Sequence, residues 1–554
     1  MYVYDEYDQA MVDERVAQFR GQMRRFLDGR LSDAEFLPLR LQNGLYIQRL
    51  APMLRMAVPY GLLNSTRLRK LAQITRDYDK GYAHVSTRQN IQLNWPQLEE
   101  VPDILAELAT VQMHAIQTSG NCIRNTTTDQ YAGVATDELE DPRPYCEIIR
   151  QWSTFHPEFA FLPRKFKIAV CASAQDRAAI YAHDIGVELV ANDAGEIGVK
   201  VLAGGGLGRT PVMGAVMCEW LEKKHLLTYL EAILRVYNQN GRRDNKFKAR
   251  IKILVRAMGA DAFREAVEQE WQALKDGPAT LTEAEIARAK RFFTDPDYRQ
   301  LDGVEANRQL EQRCSADAIF GNWVKRNTAA HRVAGYRIVN ISLKRPGYAP
   351  GDITDSQLEL VADLADEYSF SEVRTTHEQN MVLADVEIEQ LYTLWQALQK
   401  GGLATPTIGY LTDIVSCPGG DYCSLANAKS LPVAEAIQAR FDDMDYVYDL
   451  GPLELNISGC MNACGHHHIG HIGILGVDKK GQEFYQVCLG GSQGKDASIG
   501  KILGPSFSQE AMPDVIETIL STYVELREPG ETFLDTYRRV SIEPFKERVY
   551  APAD

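Results

Sequence analysis

Four cysteines stand in two close pairs, Cys417–Cys423 in CPGGDYC and Cys460–Cys464 in CMNAC. Four thiolates at such spacing can hold a metal centre, and the kind of centre decides what the chain does. Structural zinc usually takes pairs with about two to four intervening residues; here the first pair has five and the second three. Cysteines at i and i+4 of a helix place their Cβ atoms roughly 5–6 Å apart, whereas the sulfurs of a tetrahedral zinc thiolate sit roughly 3.8 Å apart. The wider spacing suits an iron–sulfur cubane better. Zinc, stabilising a non-catalytic binding protein, stays open as the alternative. The GHHHIGHIG segment after the second pair adds His466, His467, His468 and His471 as candidate ligands. Yet Gly465, Gly470, Gly473 and Gly476 alternate there with apolar residues, as in a strand leaving a crowded site, so these histidines read as packing side chains.

A second constellation is cationic. Arg88 lies in STRQN, Arg124 in GNCIRN, and Lys165 and Lys167 in LPRKFK, at alternate positions of a strand and so on one face. Converging cations bind small oxyanions well, because charge-assisted hydrogen bonds are strong in a partly desolvated pocket. A further basic run, GRRDNKFKARIK, holds Arg242, Arg243, Lys246, Lys248, Arg250 and Lys252, and reads either as an anion cradle or as a solvated helix face. Nucleotide motifs fail. AGGGLGR, Ala203–Arg209, lacks the last glycine of a dinucleotide fingerprint, and GGSQGKD, Gly490–Asp496, has the wrong spacing for a P-loop. With no flavin or nicotinamide site legible, electrons for a redox reaction would come from a separate protein.

The elements that must position these residues come twice. One unit runs from about Met53, the other from about Tyr336. Each reads as an alternating strand, a Gly/Pro loop, a capped amphipathic helix, a strand carrying Gln-Asn, and a second helix. The order predicts two α+β half-domains packed as a pseudo-symmetric pair. Between them, Phe166–Ser173 and EIGVKVLAGGGLG read as strands, and a long amphipathic helix is expected near Val216–Asn238, stopped by Gly241.

Length and composition frame this. The 554 residues fit roughly three to four domains. A net charge of −15 argues against nucleic-acid binding, so any basic cluster must be local. No stretch of eighteen or more apolar residues predicts a membrane span. Ten cysteines without an apolar leader at the start point to reduced thiols and a cytoplasmic location.

Together these motifs resemble the sirohaem-dependent sulfite and nitrite reductase family, from about residue 40 to about 500. The resemblance implies an α+β fold: two ferredoxin-like half-domains related by a pseudo-two-fold repeat, plus two α/β domains that bind sirohaem and cluster. It divides the chain into an N-terminal helical extension (1–40), the first half-domain (41–125), a sirohaem- and substrate-binding domain (126–330), the second half-domain (331–405) and an iron–sulfur/sirohaem domain (406–554). It implies that Cys417, Cys423, Cys460 and Cys464 hold a [4Fe–4S] cluster, with Cys464 also the axial ligand of the sirohaem iron. Arg88, Arg124, Lys165 and Lys167 would hold the oxyanion, and Arg209 and the run from Arg242 to Lys252 would face the sirohaem carboxylates. Retention of both lysines favours sulfite, reduced by six electrons to sulfide, over nitrite. Some ferredoxin-dependent members join a tyrosine to a cysteine beside the sirohaem; Tyr46 in GLYIQR and Cys122 in GNCIR match those positions. The expected donor is a ferredoxin or an NADPH-dependent flavoprotein subunit. IRN departs from the NRN of some members, and the triple histidine is unlike several.

Overall fold

Two reciprocal strand exchanges define the centre of the molecule. The computed structural model describes residues 1–48 and 50–552; Arg49 of the GLYIQR motif lies outside the described residues. One sheet runs in the order β1 (Leu45–Ile47), β2 (Pro52–Met56), β5 (Ile91–Leu93), β4 (Tyr82–Val85), β13 (Asp352–Thr354). Its counterpart runs β11 (Thr328–Ala330), β12 (Tyr336–Ile341), β15 (Met381–Glu387), β14 (Glu372–Thr375), β3 (Leu62–Asn64). Each half thus lends one short strand to the other's edge: β3 pairs with β14, and β13 with β4. The edges that would otherwise be open are closed by the partner half.

The helices Ser65–Tyr78 and Asp355–Tyr368 start where their side chains cap them. Asn64 accepts from the Arg67 amide, and Thr354 with Gln357 forms a full capping box. Their apolar faces cover the two sheets, and one continuous core runs from Phe19 through Leu71 and Val361 to Leu403. The duplicated half-domains expected from the sequence are present.

The symmetry extends further than the sequence revealed. The middle domain has the sheet β6 (Thr127–Thr128), β7 (Ile168–Cys171), β8 (Ile185–Ala191), β9 (Ile197–Ala203), β10 (Ala215–Leu221). The C-terminal domain has β16 (Val415–Ser416), β17 (Leu455–Ser458), β18 (Ile472–Lys479), β19 (Gln482–Leu489), β20 (Lys501–Ile502). In both, the first three strands are parallel and the last two antiparallel. Register fixes the equivalences. Ile168 pairs with Ile185 as Leu455 pairs with Ile472, and the Ile185 amide donates to Lys167 O as the Ile472 amide donates to Glu454 O.

One expectation is corrected. The helix near Val216–Asn238 is a strand followed by a helix: Ala215–Leu221 pairs antiparallel with β9, and the helix spans Leu226–Asn240. AVMCEWL carries an apolar series that serves either period, and pairing with β9 settles it as strand. The helix does end at Gly241.

Candidate active site

The two cysteine pairs are distant in sequence but share one loop-to-loop contact. The amides of Asn427 and Ala428, past the first pair, both donate to Gly459 O, next to the second pair. A Cβ on Gly459 would lie 2.6 Å from Ala428 O, so only glycine lets the backbones meet. The Gly459 amide donates to Cys417 Sγ at 3.2 Å. Across the domain boundary, Thr87 Oγ1 donates to Cys464 O at 2.7 Å, tying the STRQN turn to the cysteine loop.

All four cysteines open onto one cleft of about 1670 Å³, together with Arg55, Arg88, Arg124, Arg164, Lys165 and Lys167. No Asp or Glu is among the described residues that line it. In a chain of net charge −15, such segregation makes a local anion site. Burial pushes the Cys417 thiol up to about 12, with the neighbouring Cys464 adding to it, and also raises Cys423 and Cys460. Cys464 itself is exposed to the cleft. Among the described residues no three His, Cys, Asp or Glu side chains converge as ligands of a single metal ion. The thiols instead share their cleft with cations that suit a group rich in carboxylates.

The four predicted anion-binding residues come together but are used differently. Arg88 donates to Thr127 Oγ1 and Asn125 O, both at 2.7 Å, and Arg124 donates to Thr118 O and Gly120 O, both at 2.8 Å. These guanidinium groups also brace the loops that form the wall. Lys165 and Lys167 differ: among the described residues neither Nζ has a hydrogen-bond or ion-pair partner. Desolvation pulls Lys165 down to about 8 and Arg88 to about 9, and it lowers Lys167 well below the usual lysine value, helped by Lys165 and Arg88. Two enclosed ammonium groups without partners are costly unless an anion completes the site.

The remaining candidates lie elsewhere. Arg209 is exposed on the loop after β9 and does not line the cleft. Of the basic run, Arg242 pairs with Asp244 and Arg243 donates to Phe161 O, both on the exterior. Arg250 pairs with buried Asp184 at 2.7 Å, and Lys252 Nζ donates to the carbonyls of Leu207 and Thr210. The run is mostly loop rather than helix, and its inward members already hold the fold. Tyr46 lines the cleft under the Arg55 guanidinium, 5.6 Å from the ring centre. Cys122 lies on the adjoining segment, its Sγ directed to Ser119 O at 3.3 Å. His467 is fully buried, His468 Nε2 bonds Gly208 O at 2.9 Å, and His471 Nδ1 accepts from the Glu454 amide, so these three pack as read, whereas His466 lines the cleft with the cysteines.

Sequence reasoning missed Arg55 and Arg164 as site cations. It also missed Asn90, Gln92 and Asn94, which line the cleft from one face of β5 and the residues flanking it. Their signal was present, since a polar residue at every second position marks one face of a strand.

The family model described as nitrite and sulphite reductase 4Fe-4S domain matches residues 119–275 and 410–553. A second, described as nitrite/sulfite reductase ferredoxin-like half domain, matches 48–111 and 339–401. The chain is 27% identical over 508 residues to sulfite reductase [ferredoxin] 1 of Mycolicibacterium paratuberculosis, covering 89% of this chain and 83% of that one. It is 29% identical over 483 residues to ferredoxin–nitrite reductase of Synechococcus elongatus, covering 84% and 85%. Among solved structures, the Mycobacterium tuberculosis NirA protein superposes with a TM-score of 0.76 at 25% identity, over 93% of this chain and 92% of the other.

Proposed function

The chain belongs to the nitrite and sulphite reductase family, and from that premise we propose that it reduces sulfite to sulfide with electrons delivered by a ferredoxin. The observation that carries the substrate is the pair of unpartnered ammonium groups, Lys165 and Lys167, in a cleft shared with the four cysteines. Sulfite carries more negative charge than nitrite, so it gains more from the second ammonium.

In this reading Cys417, Cys423, Cys460 and Cys464 would hold the [4Fe–4S] cluster, and Cys464, exposed to the cleft, would also help to hold the sirohaem. Sirohaem coupled to the cluster would relay the donor's six electrons to the substrate, one at a time. Arg55 and Arg164, with Arg88 and Arg124, stand where a polycarboxylate macrocycle needs cations. Lys165 and Lys167 donate hydrogen bonds to the substrate oxygens and pass protons to them as they leave as water. Lys165, pulled to about 8, is a stronger proton donor near neutral pH than a free lysine.

The donor assignment rests on the relatives named as ferredoxin enzymes; an NADPH-dependent flavoprotein subunit is the other donor to be compared. No described helix is long and apolar enough to cross a membrane, and a cytoplasmic location belongs to the proposal. Steady-state kinetics with a reduced viologen donor tests the substrate. We expect kcat/KM for sulfite to exceed that for nitrite; the reverse order would make the protein a nitrite reductase, as the Synechococcus relative is named.

A further inference from the structure

The active-site cleft has a twin with its charges reversed. The turn Thr376–Asn380 repeats Ser86–Asn90 bond for bond. The Ser86 amide donates to Asn90 O as Thr376 donates to Asn380 O, and Asn90 Oδ1 accepts from Val58 as Asn380 Oδ1 accepts from Leu343. Gln89 and Gln379 both take the left-handed backbone, φ 57° and 61°, and each reaches across to the other half, to Thr375 O and Val85 O. Glu378 therefore stands where Arg88 stands. By the register of the two α/β sheets, Glu454 stands where Lys167 stands.

Glu378 and Glu454 line a second cavity, together with Gln130, Arg177 and Asp413. Its other charges are matched internally. Asp413 faces Lys344 at 3.8 Å, and Arg177 is held by Asp129 and Asp137. Glu378 and Glu454 form no ion pair among the described residues; the Lys344 ammonium reaches Glu378 only at its main-chain carbonyl, at 2.5 Å, and Glu454 accepts only from Gln493, at 3.2 Å. Independently of the acids, Gln130, 7% exposed, lines the cavity with an Oε1 that has no hydrogen-bond partner. It is an acceptor that a donor-bearing ligand would satisfy.

We propose that this cavity is a second binding site, taking a small organic cation with more than one ammonium group, held between Glu378 and Glu454 with Gln130 accepting a further hydrogen bond. A bare metal ion fits less well, because no three acidic or imidazole side chains converge on one point among the described residues. Burial and the neighbouring acids push both carboxyls up to about 7, as expected of acids awaiting a counter-charge.

The test is calorimetric titration of the cofactor-loaded protein with butane-1,4-diamine. The expected result is saturable one-to-one binding and a raised melting temperature. Glu378→Gln and Glu454→Gln should each weaken binding by at least about tenfold while sulfite turnover and a cooperative melt persist, which shows that the variants fold. Absence of saturable binding would overturn the proposal, as would wild-type affinity in both variants. Magnesium chloride binding as tightly as the diamine would overturn the organic-cation assignment. Sulfite turnover is read separately, so failure here leaves the reductase reading standing or falling on its own kinetics.

Discussion

Lys167 and Glu454 sit at equivalent places in the two α/β sheets, yet they carry opposite charges. What distinguishes the active-site lysines from its arginines is freedom. Arg88 and Arg124 are held by main-chain carbonyls, so replacing either removes wall as well as charge. Lys167 has no side-chain partner, and its removal relieves a desolvated cation without leaving a carbonyl unpaired. Lys167→Met is therefore expected to leave the melting temperature unchanged or slightly raised. It should lower kcat/KM for sulfite by about 10²–10³, the usual effect of losing one donor to a developing oxyanion. Cys464→Ser probes the other wall. Cys464 is exposed to the cleft rather than packed in the core, so the fold should persist while sulfite reduction collapses. Near-normal turnover in either variant would remove that residue from the proposed chemistry.

At the scale of elements, glycines do what side chains cannot. A Cβ on Gly473 in β18 would lie 1.9 Å from His467 O, and one on its equivalent Gly186 in β8 would lie 2.5 Å from Ile180 O. The two parallel strands are pressed against the segments that enter them, and in the C-terminal domain that segment follows Cys464. Gly473→Ala should cost about 1–3 kcal/mol, as overpacked cores do, with loss of bound iron measured alongside the melt. Gly21 is the contrast: it lies inside the helix Glu6–Leu27 with nothing within 4 Å of an added Cβ. Gly21→Ala should stabilise by up to about 1 kcal/mol. If Gly473→Ala melts like the parent, the tight approach does not shape the cysteine loop. Such elements also explain what was legible in the sequence. The half-domain repeat could be read because its capped helices and alternating strands are long enough to show a period. The twin α/β sheets could not, since β6 and β16 have two residues each and β7 and β17 four. Their likeness resides in register and in paired glycines, neither of which leaves a periodic trace. The basic run misled for a related reason: composition marks Arg250 and Lys252 as cations but not that Asp184 and three carbonyls already hold them.

For the whole molecule, the exchanged strands decide how it folds. Strand β4 has β5 on one side and β13, from the other repeat, on the other; β14 likewise needs β3. The apolar residues of both halves form one core, in which Leu71 and Ile74 belong with Val361 and Ala365. The ion pairs across the same boundary, Arg69 with Asp363 and Asp366 and Arg76 with Asp355 and Glu359, are largely exposed and contribute little. Burial and strand pairing therefore carry the association, and neither half holds a complete sheet or core by itself. Residues 41–125 expressed alone should lack the far-ultraviolet signature and dispersed amide spectrum of a folded domain. Supplying residues 331–405 as a separate chain should restore both, because each then receives its missing edge strand. A folded, monomeric 41–125 fragment with protected β4 amides would mean that the borrowed strand is dispensable, and that the two halves of the active-site floor fold first and dock later.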